Sequence, residues 1–325
     1  MAFRSGIDAQ IGFGEETTWS TRAAPTRYLE FVSESFKLAQ EPMDAKGIRK
    51  SNLVQRSDRW TRGKKEIAGE VMVEGHNKGL GLLLKHALGT VVITTPGGGT
   101  NSRLHTHTLT DNWGLGLTVQ AGRPDVGGTV RPFDYAGCKT DSVEFKNSVD
   151  EFLMLSFGYV GYDEDTTQTL GTASYPASTE ILNWTGGVLN IAAAAVAVKD
   201  VSIKIDRGLK KDRHFLRADR RIKEPIQAGL VKISGEVSCE FEDLTAYNRF
   251  VNGTLASLDV TWTGAIIEGA LSYYFKVIID NVRFEGQTPN VDGPDVVDLS
   301  LPFTGIYDGS GEPIVVEYQT TDTAS

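Results

Sequence analysis

The chain has 325 residues, of which 40% are hydrophobic and 9% aromatic, and its formal net charge is −9. This composition predicts a folded, soluble protein that is long enough for two compact domains, and the acidic charge argues against a sequence-independent nucleic-acid binder, which needs a basic surface. The first residues lack the apolar segment of a signal peptide and the longest apolar run, 191–198, is too short to span a bilayer, so we expect a cytosolic product with no membrane anchor.

The first part of the chain alternates between irregular segments and one clear strand. Residues 1–26 are rich in Gly, Ser and Thr and are predicted to form an extended arm with little regular structure. Tyr28–Leu38 is rich in aromatic and β-branched residues and is predicted to be a strand. Residues 41–65, the first basic loop, carry eight Lys and Arg side chains around a single Trp.

The segment that follows this loop has the period of a half-buried strand. Ile67, Val71 and Val73 alternate with side chains that include Glu70 and Glu74, so one face is apolar and the other rich in carboxylates. Residues 78–88 then keep the leucine spacing of a helix that ends at a glycine.

This order of signals recurs later in the chain. Ile67-Ala-Gly-Glu-Val71 reappears as Ile233-Ser-Gly-Glu-Val237, again preceded by a loop with eight basic side chains and followed by a helix candidate with Asp243 as N-cap. The second basic loop is residues 206–223. Leu299, Leu301 and Phe303 align with Leu153, Leu155 and Phe157. Because several signals recur in one order, the sequence predicts an internal duplication.

The segments between these signals are connections or inserts. Residues 89–137 are rich in Gly and Thr with short strand-like pieces, and 164–198 is predicted to be a connector. The predicted organisation is an arm (1–26), a first unit (27–163), the connector, a duplicated second unit (199–308) and a C-terminal tail (309–325).

The chain offers little catalytic chemistry. His105 and His107 could face one side of a strand as metal ligands, but no further ligand follows at a suitable spacing, so an exposed loop pair is favoured. No dinucleotide fingerprint, P-loop or nucleophile elbow is present. Cys239 is predicted to be a buried structural thiol. We therefore expect no enzyme, cofactor or metal.

The N-terminal sequence resembles one family of tail tube proteins of long-tailed, non-contractile bacteriophages. The resemblance is carried by Gly6-Ile-Asp-Ala-Gln-Ile-Gly-Phe-Gly-Glu-Glu-Thr-Thr-Trp19, by Pro25-Thr-Arg-Tyr-Leu-Glu-Phe31 and by the basic loop with its Gly-Glu-Val strand. It implies a mainly β fold with two tandem sandwich or barrel units, each flanked by one short α-helix. It also implies rings that join into a β-barrel and stack into a tube around a DNA-conducting lumen.

The resemblance and the charge pattern together assign roles to residues. The carboxylates expected to face the lumen are Glu70, Glu74, Glu236 and Glu240. The residues expected in loops between rings are Lys46, Arg49, Lys50, Arg56, Arg59, Trp60, Arg62, Arg207, Lys210, Lys211, Arg213, Arg217, Arg220 and Arg221. For both basic loops, docking on a complementary surface of another subunit is favoured over solvation and over phosphate binding.

The expected partners are those of a virion tail assembled in the host cytoplasm. The chain would bind itself, as a trimeric ring with pseudo-sixfold symmetry or as a hexamer, together with tail tip, tape measure and tail terminator proteins, and it would let double-stranded DNA pass without specific binding. The alternative is a host-surface or carbohydrate-binding decoration module, which would require Trp19, Trp60, Trp113, Trp184 and Trp262 to cluster.

Overall fold

The structure, a computed structural model, describes residues 5–286, 288–291, 293–294 and 296–325. The described chain is built mainly from antiparallel strands with two short α-helices, which confirms the predicted fold class. The elements of the first half are β1 (Gln10–Glu15), β2 (Arg27–Leu29), β3 (Ser33–Glu34), β4 (Lys37–Ala39), β5 (Pro42–Asp44), β6 (Trp60–Arg62), β7 (Glu66–Glu74), α1 (Gly81–Leu88), β8 (Gly89–Thr94), β9 (Arg103–Leu109), β10 (Leu117–Pro124), β11 (Val130–Ser148), β12 (Met154–Gly161) and β13 (Asp163–Asp165).

The elements of the second half follow a similar succession of hairpins, strands and one helix. They are β14 (Gly187–Ile191), β15 (Ala194–Val196), β16 (Val198–Asp206), β17 (Leu209–Lys210), β18 (Ile226–Gln227), β19 (Lys232–Glu240), α2 (Leu244–Asn252), β20 (Ala256–Glu268), β21 (Leu271–Phe284), β22 (Asp298–Gly305) and β23 (Val315–Thr320). Single 3-10 turns lie at Gly6–Asp8 and Trp184–Gly186.

One long run of strands, which we call the central sheet, connects both halves. Its strands pair antiparallel in the order β4, β7, β12, β11, β16, β19, β22 and β21. Strand β3 extends β4 along the same edge of β7. The pairing of β11 with β16 is the step that carries the sheet from the first half of the chain to the second.

A second layer, the outer sheet, covers the central sheet and encloses the core. Its strands pair in the order β8, β9, β23, β21, β20, β14 and β15. Strand β21 belongs to both layers, because residues 274–278 pair with β23 and residues 282–284 pair with β22. The rings of Phe145 and Phe275 lie 5.3 Å apart between the layers. In the single chain the sheets are not closed.

A third group of strands belongs to the first half of the chain and includes part of the predicted N-terminal arm. Strands β2, β1, β10 and the first part of β11 pair in that order, and β13 also pairs with β11. The prediction of little regular structure in residues 1–26 is therefore wrong for β1. Ile11 and Phe13 are fully buried there, because β1 pairs with β10 across a distance in sequence that no local pattern reveals.

Strands also occur in the other segments predicted to be connections. Residues 164–198 contain the hairpin β14–β15, and residues 309–325 contain β23, whose Val316 and Tyr318 are fully buried. The Gly-rich stretch 89–137 includes β9 and β10. The single strand predicted for Tyr28–Leu38 is instead three short strands, β2, β3 and β4. The boundaries of the two units stay a prediction.

The repeated pentapeptide and the two helices form as the sequence predicts. Strands β7 and β19 bury Ile67, Val71, Ile233 and Val237 on one face. Both helices end at a left-handed glycine, with φ of 109° after α1 and 62° after α2, a conformation that glycine adopts without the penalty of a Cβ atom. The side chain of Asp243 caps α2 by accepting from the N–H of Thr245.

Candidate functional site

The exposed side of the central sheet is lined by polar side chains, and we call it the acidic face. Because side chains alternate across a strand, these residues oppose the buried apolar set on every strand. The charged side chains of the acidic face are Lys37, Glu66, Glu70, Glu74, Glu144, Lys146, Asp200, Lys204, Asp206, Lys232, Glu236, Glu240, Arg283 and Asp298, and serines such as Ser202, Ser238 and Ser300 lie between them. Nine of these fourteen charged side chains are carboxylates and five are Lys or Arg. The face therefore carries a net negative charge.

All four carboxylates predicted to line a lumen lie on this face, in two separate rows. Glu70 and Glu74 lie on β7, and Glu236 and Glu240 lie on β19. Glu74 is half-buried and the other three are exposed. Strands β12, β11 and β16 separate the two rows, which places them about 19 Å apart at the usual strand spacing.

The structure adds carboxylates to the face that the sequence reading did not single out. Glu144 lies on β11, Asp200 on β16 and Asp298 on β22. Lys199 forms ion pairs with Glu240 at 3.4 Å and Asp298 at 2.7 Å, and exposed pairs of this kind stabilise a fold only weakly. Apolar and polar residues alternate around Val143 and Val201 in the sequence. This alternation would have predicted that Glu144 and Asp200 lie on the exposed face.

The first basic loop projects from the molecule as a hairpin closed by β5 and β6. Of its predicted contact residues, Arg56 is half-buried and Lys46, Arg49, Lys50, Arg59, Trp60 and Arg62 are exposed. Its apolar side chains are exposed as well, including Met43, Ile48, Leu53 and Val54. Exposed apolar clusters on a protein surface usually mark a binding site.

The second basic loop instead lies against the first half of its own chain. Arg221 forms an ion pair with Asp163, and Lys211 forms one with Asp141. Lys65 of the first basic loop also pairs with Asp163, at 2.8 Å. The buried ammonium of Lys139 pairs with Glu224, just beyond the loop, at 2.6 Å. Part of this loop's charge is therefore neutralised inside the chain. Lys210, Lys211 and Arg217 remain exposed, while Arg213 and Arg220 are half-buried.

Arg207 has a structural position that differs from its prediction as a loop contact between rings. Its side chain is 1% exposed, and its guanidinium donates to the carbonyl oxygens of Leu88 at 3.0 Å and Thr110 at 2.5 Å. Burial lowers the pKa of this guanidinium from its usual value. Arg207 donates to carbonyl groups at the C-terminal end of α1, so its side chain cannot contact another subunit in this conformation. The prediction of Arg207 as a contact between rings is therefore corrected.

The comparison with known protein families decides the identity of the chain. A family described as phage tail tube protein matches residues 6–305. The chain belongs to this family. It is a structural subunit of a phage tail tube, and its place is the tail of the virion. No curated protein matches it.

Two histidines of this tube protein lie where the sequence reading did not expect them. His105 and His107 are fully buried in β9, so the expectation of an exposed loop pair is wrong. Their two-residue spacing does place both on one face. Burial lowers the pKa of His107 to about 3, and the imidazole is neutral at physiological pH. Within residues 5–286, 288–291, 293–294 and 296–325, no group of three or more His, Cys, Asp or Glu could hold a metal ion.

Other side chains of the tube protein have structural positions. Both cysteines are free and buried, which confirms the prediction for Cys239. Trp262 is buried in the core, and the indole of Trp19 donates to the carbonyl of Gly137 at 3.0 Å. These two tryptophans therefore have internal roles rather than a place on a sugar-binding platform. In the part of the chain that the structure describes, no helix is long and apolar enough to cross a membrane.

Proposed function

We propose that the chain contains two tube units in tandem, that three chains form a ring with pseudo-sixfold symmetry, and that the acidic face lines the lumen. The strand order of the central sheet carries this proposal. Strands β4, β7, β12 and β11 are followed by β16, β19, β22 and β21. In each set of four, the strand with the Gly-Glu-Val sequence is second, and the fourth strand comes after the helix that follows it in the chain.

The pairing register supports this correspondence and adjusts its alignment. Val71 lies opposite Phe157, and Val237 lies opposite Leu301. Leu301, rather than Phe303, is therefore the counterpart of Phe157. The sequence alone aligns Phe157 with Phe303, two residues away, because a shift of two keeps the same side chains on the buried face and leaves the apolar pattern unchanged.

The step between the two units is a template for ring closure. Val143 on β11 lies opposite Ile205 on β16, so the fourth strand of one unit pairs with the first strand of the next. The equivalent step between chains would join the end of β21 to β4 and β3 of a second chain. Such closure also covers edge strands that would otherwise offer unpaired N–H and C=O groups to any passing strand.

A lumenal position of the acidic face explains its charge. DNA carries one negative charge for about every 1.7 Å of helix axis and binds proteins chiefly through basic side chains on its phosphates. A wall with an excess of carboxylates offers few such contacts, so double-stranded DNA passes without being held. This is the function that the carboxylates of β7 and β19 support.

The tip of the first basic loop is proposed to contact the next ring. Its exposed cations and apolar side chains project from the sheet, which suits a contact along the tube axis. The exposed Lys210, Lys211 and Arg217 of the second basic loop would contribute less, because that loop is anchored on its own chain. At the tube ends we infer contacts with tail tip, tape measure and tail terminator proteins, assembled in the host cytoplasm.

Electron microscopy with mass-per-length measurement tests this function. Purified protein, seeded with tail tips, should form hollow tubes, and each ring repeat should weigh three times the 35.4 kDa chain. Six chains per ring would overturn the tandem arrangement but keep the tube function. Monodisperse globules under every condition would overturn the proposal as a whole.

A further inference from the structure

The two helices that follow the Gly-Glu-Val strands are covered to different extents. In α1 every residue except Lys85 is buried. In α2, all of whose residues the structure describes, none is buried. Leu244 and Val251 of α2 are each 56% exposed, and Leu255 beyond its C-terminus is also exposed. An apolar helix side of this kind gains stability when it is covered.

Part of what covers α1 comes from the second unit. Arg207 donates to the carbonyl of Leu88 at 3.0 Å, and Ala87 accepts at 3.4 Å. Leu209, at the base of the second basic loop, is buried as well. The C-terminal turn of α1 is therefore held by the base of the loop that belongs to the following unit.

The base of the first basic loop contains a counterpart of Leu209. Leu209 lies opposite Gln227, and Met43 lies opposite Thr61. Gln227 and Thr61 each precede the first residue of their Gly-Glu-Val strand by five positions. Met43 thus occupies the position of Leu209, yet it is 58% exposed.

The first loop base does not repeat the donor of Arg207. With Met43 at the position of Leu209, Glu41 stands at the position of Arg207, and a carboxylate accepts hydrogen bonds but does not donate them. The neighbouring Gln40 donates its side-chain amide to the carbonyl of Gly63 at 3.1 Å within the chain. The correspondence between the two loop bases therefore rests on Met43 and Leu209.

We propose that the C-terminal turn of α2 binds the base of the first basic loop of a second copy of this chain within the same ring. Met43 of the second copy packs against Val251 and Leu255, the exposed apolar side chains at the end of α2. The N–H groups of Thr254 and Gly253 already reach the carbonyls of Arg249 and Phe250, respectively, so the contact is chiefly apolar.

This inference rests on the proposed ring, and it divides the first basic loop between two contacts. Residues 42–44 at its base bind sideways to α2 of the neighbouring chain, and the tip beyond them points to the next ring. The occupant is a second copy because the chain already shows the same contact once, between its own two units. Within the part of the chain that the structure describes, no residue of α2 is buried.

Disulfide trapping tests the contact. The natural cysteines are both buried, so the variants Met43→Cys and Val251→Cys each introduce an exposed thiol. Mixed, assembled and oxidised, they should form a disulfide-linked dimer, since the Cα atoms of packed side chains fall within disulfide range. Met43→Cys mixed with Val126→Cys, an exposed valine in the β10–β11 turn, is the matched control and should not cross-link.

The variant with both cysteines in one chain locates the contact within the ring. On a non-reducing gel, its disulfide-linked species should reach no more chains than one ring contains, which is three for the proposed assembly. A ladder without an upper limit would show that the contact joins successive rings and would overturn the assignment.

Assembly itself separates the two proposals. Tubes that form normally without a 43–251 disulfide overturn this inference and leave the tube function intact. Val251→Asp provides a second measure, because it should reduce ring formation at least tenfold while the circular dichroism spectrum of the subunit stays unchanged. Normal ring formation by a folded Val251→Asp protein would contradict the proposed contact.

Discussion

The indole Nε1 of Trp262 donates a hydrogen bond to Oδ1 of Asn147 at 2.9 Å, and both side chains are buried. Trp262 belongs to β20 in the outer sheet and Asn147 to β11 in the central sheet. The bond is thus a buried polar tie between the two layers. Buried polar groups of this kind favour one arrangement of the layers, because any shift leaves a donor and an acceptor unpaired.

Removing this tie should destabilise the unassembled subunit. We expect Trp262→Phe and Asn147→Ala each to lower the free energy of unfolding by about 2 kcal/mol, since each leaves a buried partner unsatisfied. The double variant should lose less than the sum of the two. Urea unfolding measures this, with Trp184→Phe as a control at a partly exposed tryptophan. Strict additivity would show that the bond contributes nothing.

The glycine of each repeated pentapeptide should be intolerant of alanine. A Cβ on Gly235 would lie 2.2 Å from the carbonyl oxygen of Ser202 and 2.4 Å from the ring of Phe303, and one on Gly69 would lie 2.5 Å from the ring of Phe36. We expect Gly235→Ala to cost about 1–3 kcal/mol through overpacking.

Gly47→Ala is the matched control for this change. No atom lies within 4 Å of a Cβ at Gly47, so its unfolding free energy should change by no more than about 0.5 kcal/mol. Equal urea midpoints for the Gly235 and Gly47 variants would mean that the close contact is relieved at no cost.

Arg207 should be important for the stability of the subunit rather than only for its assembly. Arg207→Met keeps an apolar stem but removes the guanidinium from the carbonyl of Thr110 and leaves the carbonyl of Leu88 with the N–H of Thr110 as its donor. The free energy of unfolding should therefore fall by about 1–3 kcal/mol. The exposed Lys210→Met serves as control and should be near neutral. A subunit of normal stability that fails only to assemble would place Arg207 at an interface instead.

Reversing charge on the acidic face should affect DNA passage before it affects assembly. Glu70→Lys and Glu236→Lys together are expected to leave tubes intact and to slow DNA ejection at least tenfold, because two lysines per chain supply phosphate contacts in the lumen. Raised salt should partly restore the rate. Glu312→Lys, an exposed residue outside the central sheet, gives a charge-matched control. Wild-type ejection from complete particles of the double variant would remove these residues from the channel.

His107 should make the subunit less stable as the pH falls. Burial lowers its pKa from 6.5 to about 3, so between these values the unfolded chain binds a proton that the folded chain does not. Its contribution is present in full above pH 6.5 and is lost at about 1.4 kcal/mol per pH unit as the pH falls toward 3. His107→Leu should flatten the pH dependence by that slope, whereas Thr108→Val on the same strand should not. An unchanged slope would mean that His107 is protonated in the folded state.

Local patterns in the sequence predicted the parts of the fold that depend on neighbouring residues. The alternation in Glu66–Glu74 fixes which side chains of β7 are buried, and Gly89 and Gly253 mark the ends of α1 and α2. The four carboxylates that we propose to line the lumen were found because they lie on the strands of the repeated pentapeptide, which alternate in this way. Their common face follows from the period of two.

Contacts between distant segments were beyond these patterns. The pairing of β1 with β10 and the ion pair between Arg221 and Asp163 join residues far apart in sequence. A charge count could not distinguish a loop that docks on its own chain from one that is mostly exposed, because each of the two loops carries eight cations. The spacing of His105 and His107 gave a shared face but not which face is buried.

The pairing of β11 with β16 also affects the symmetry that the tube would present to other proteins. In the ring we propose, half of the joints between units are covalent continuations of one polypeptide, and only three are formed by association. The second basic loop is tied to Asp163 through Arg221, whereas residues 41–62 of the first basic loop are exposed apart from the half-buried Arg56. Alternate units around the circumference are therefore not alike. A protein that meets the end of such a tube would encounter three projecting loops, so the matching symmetry of a terminator or tip protein is threefold.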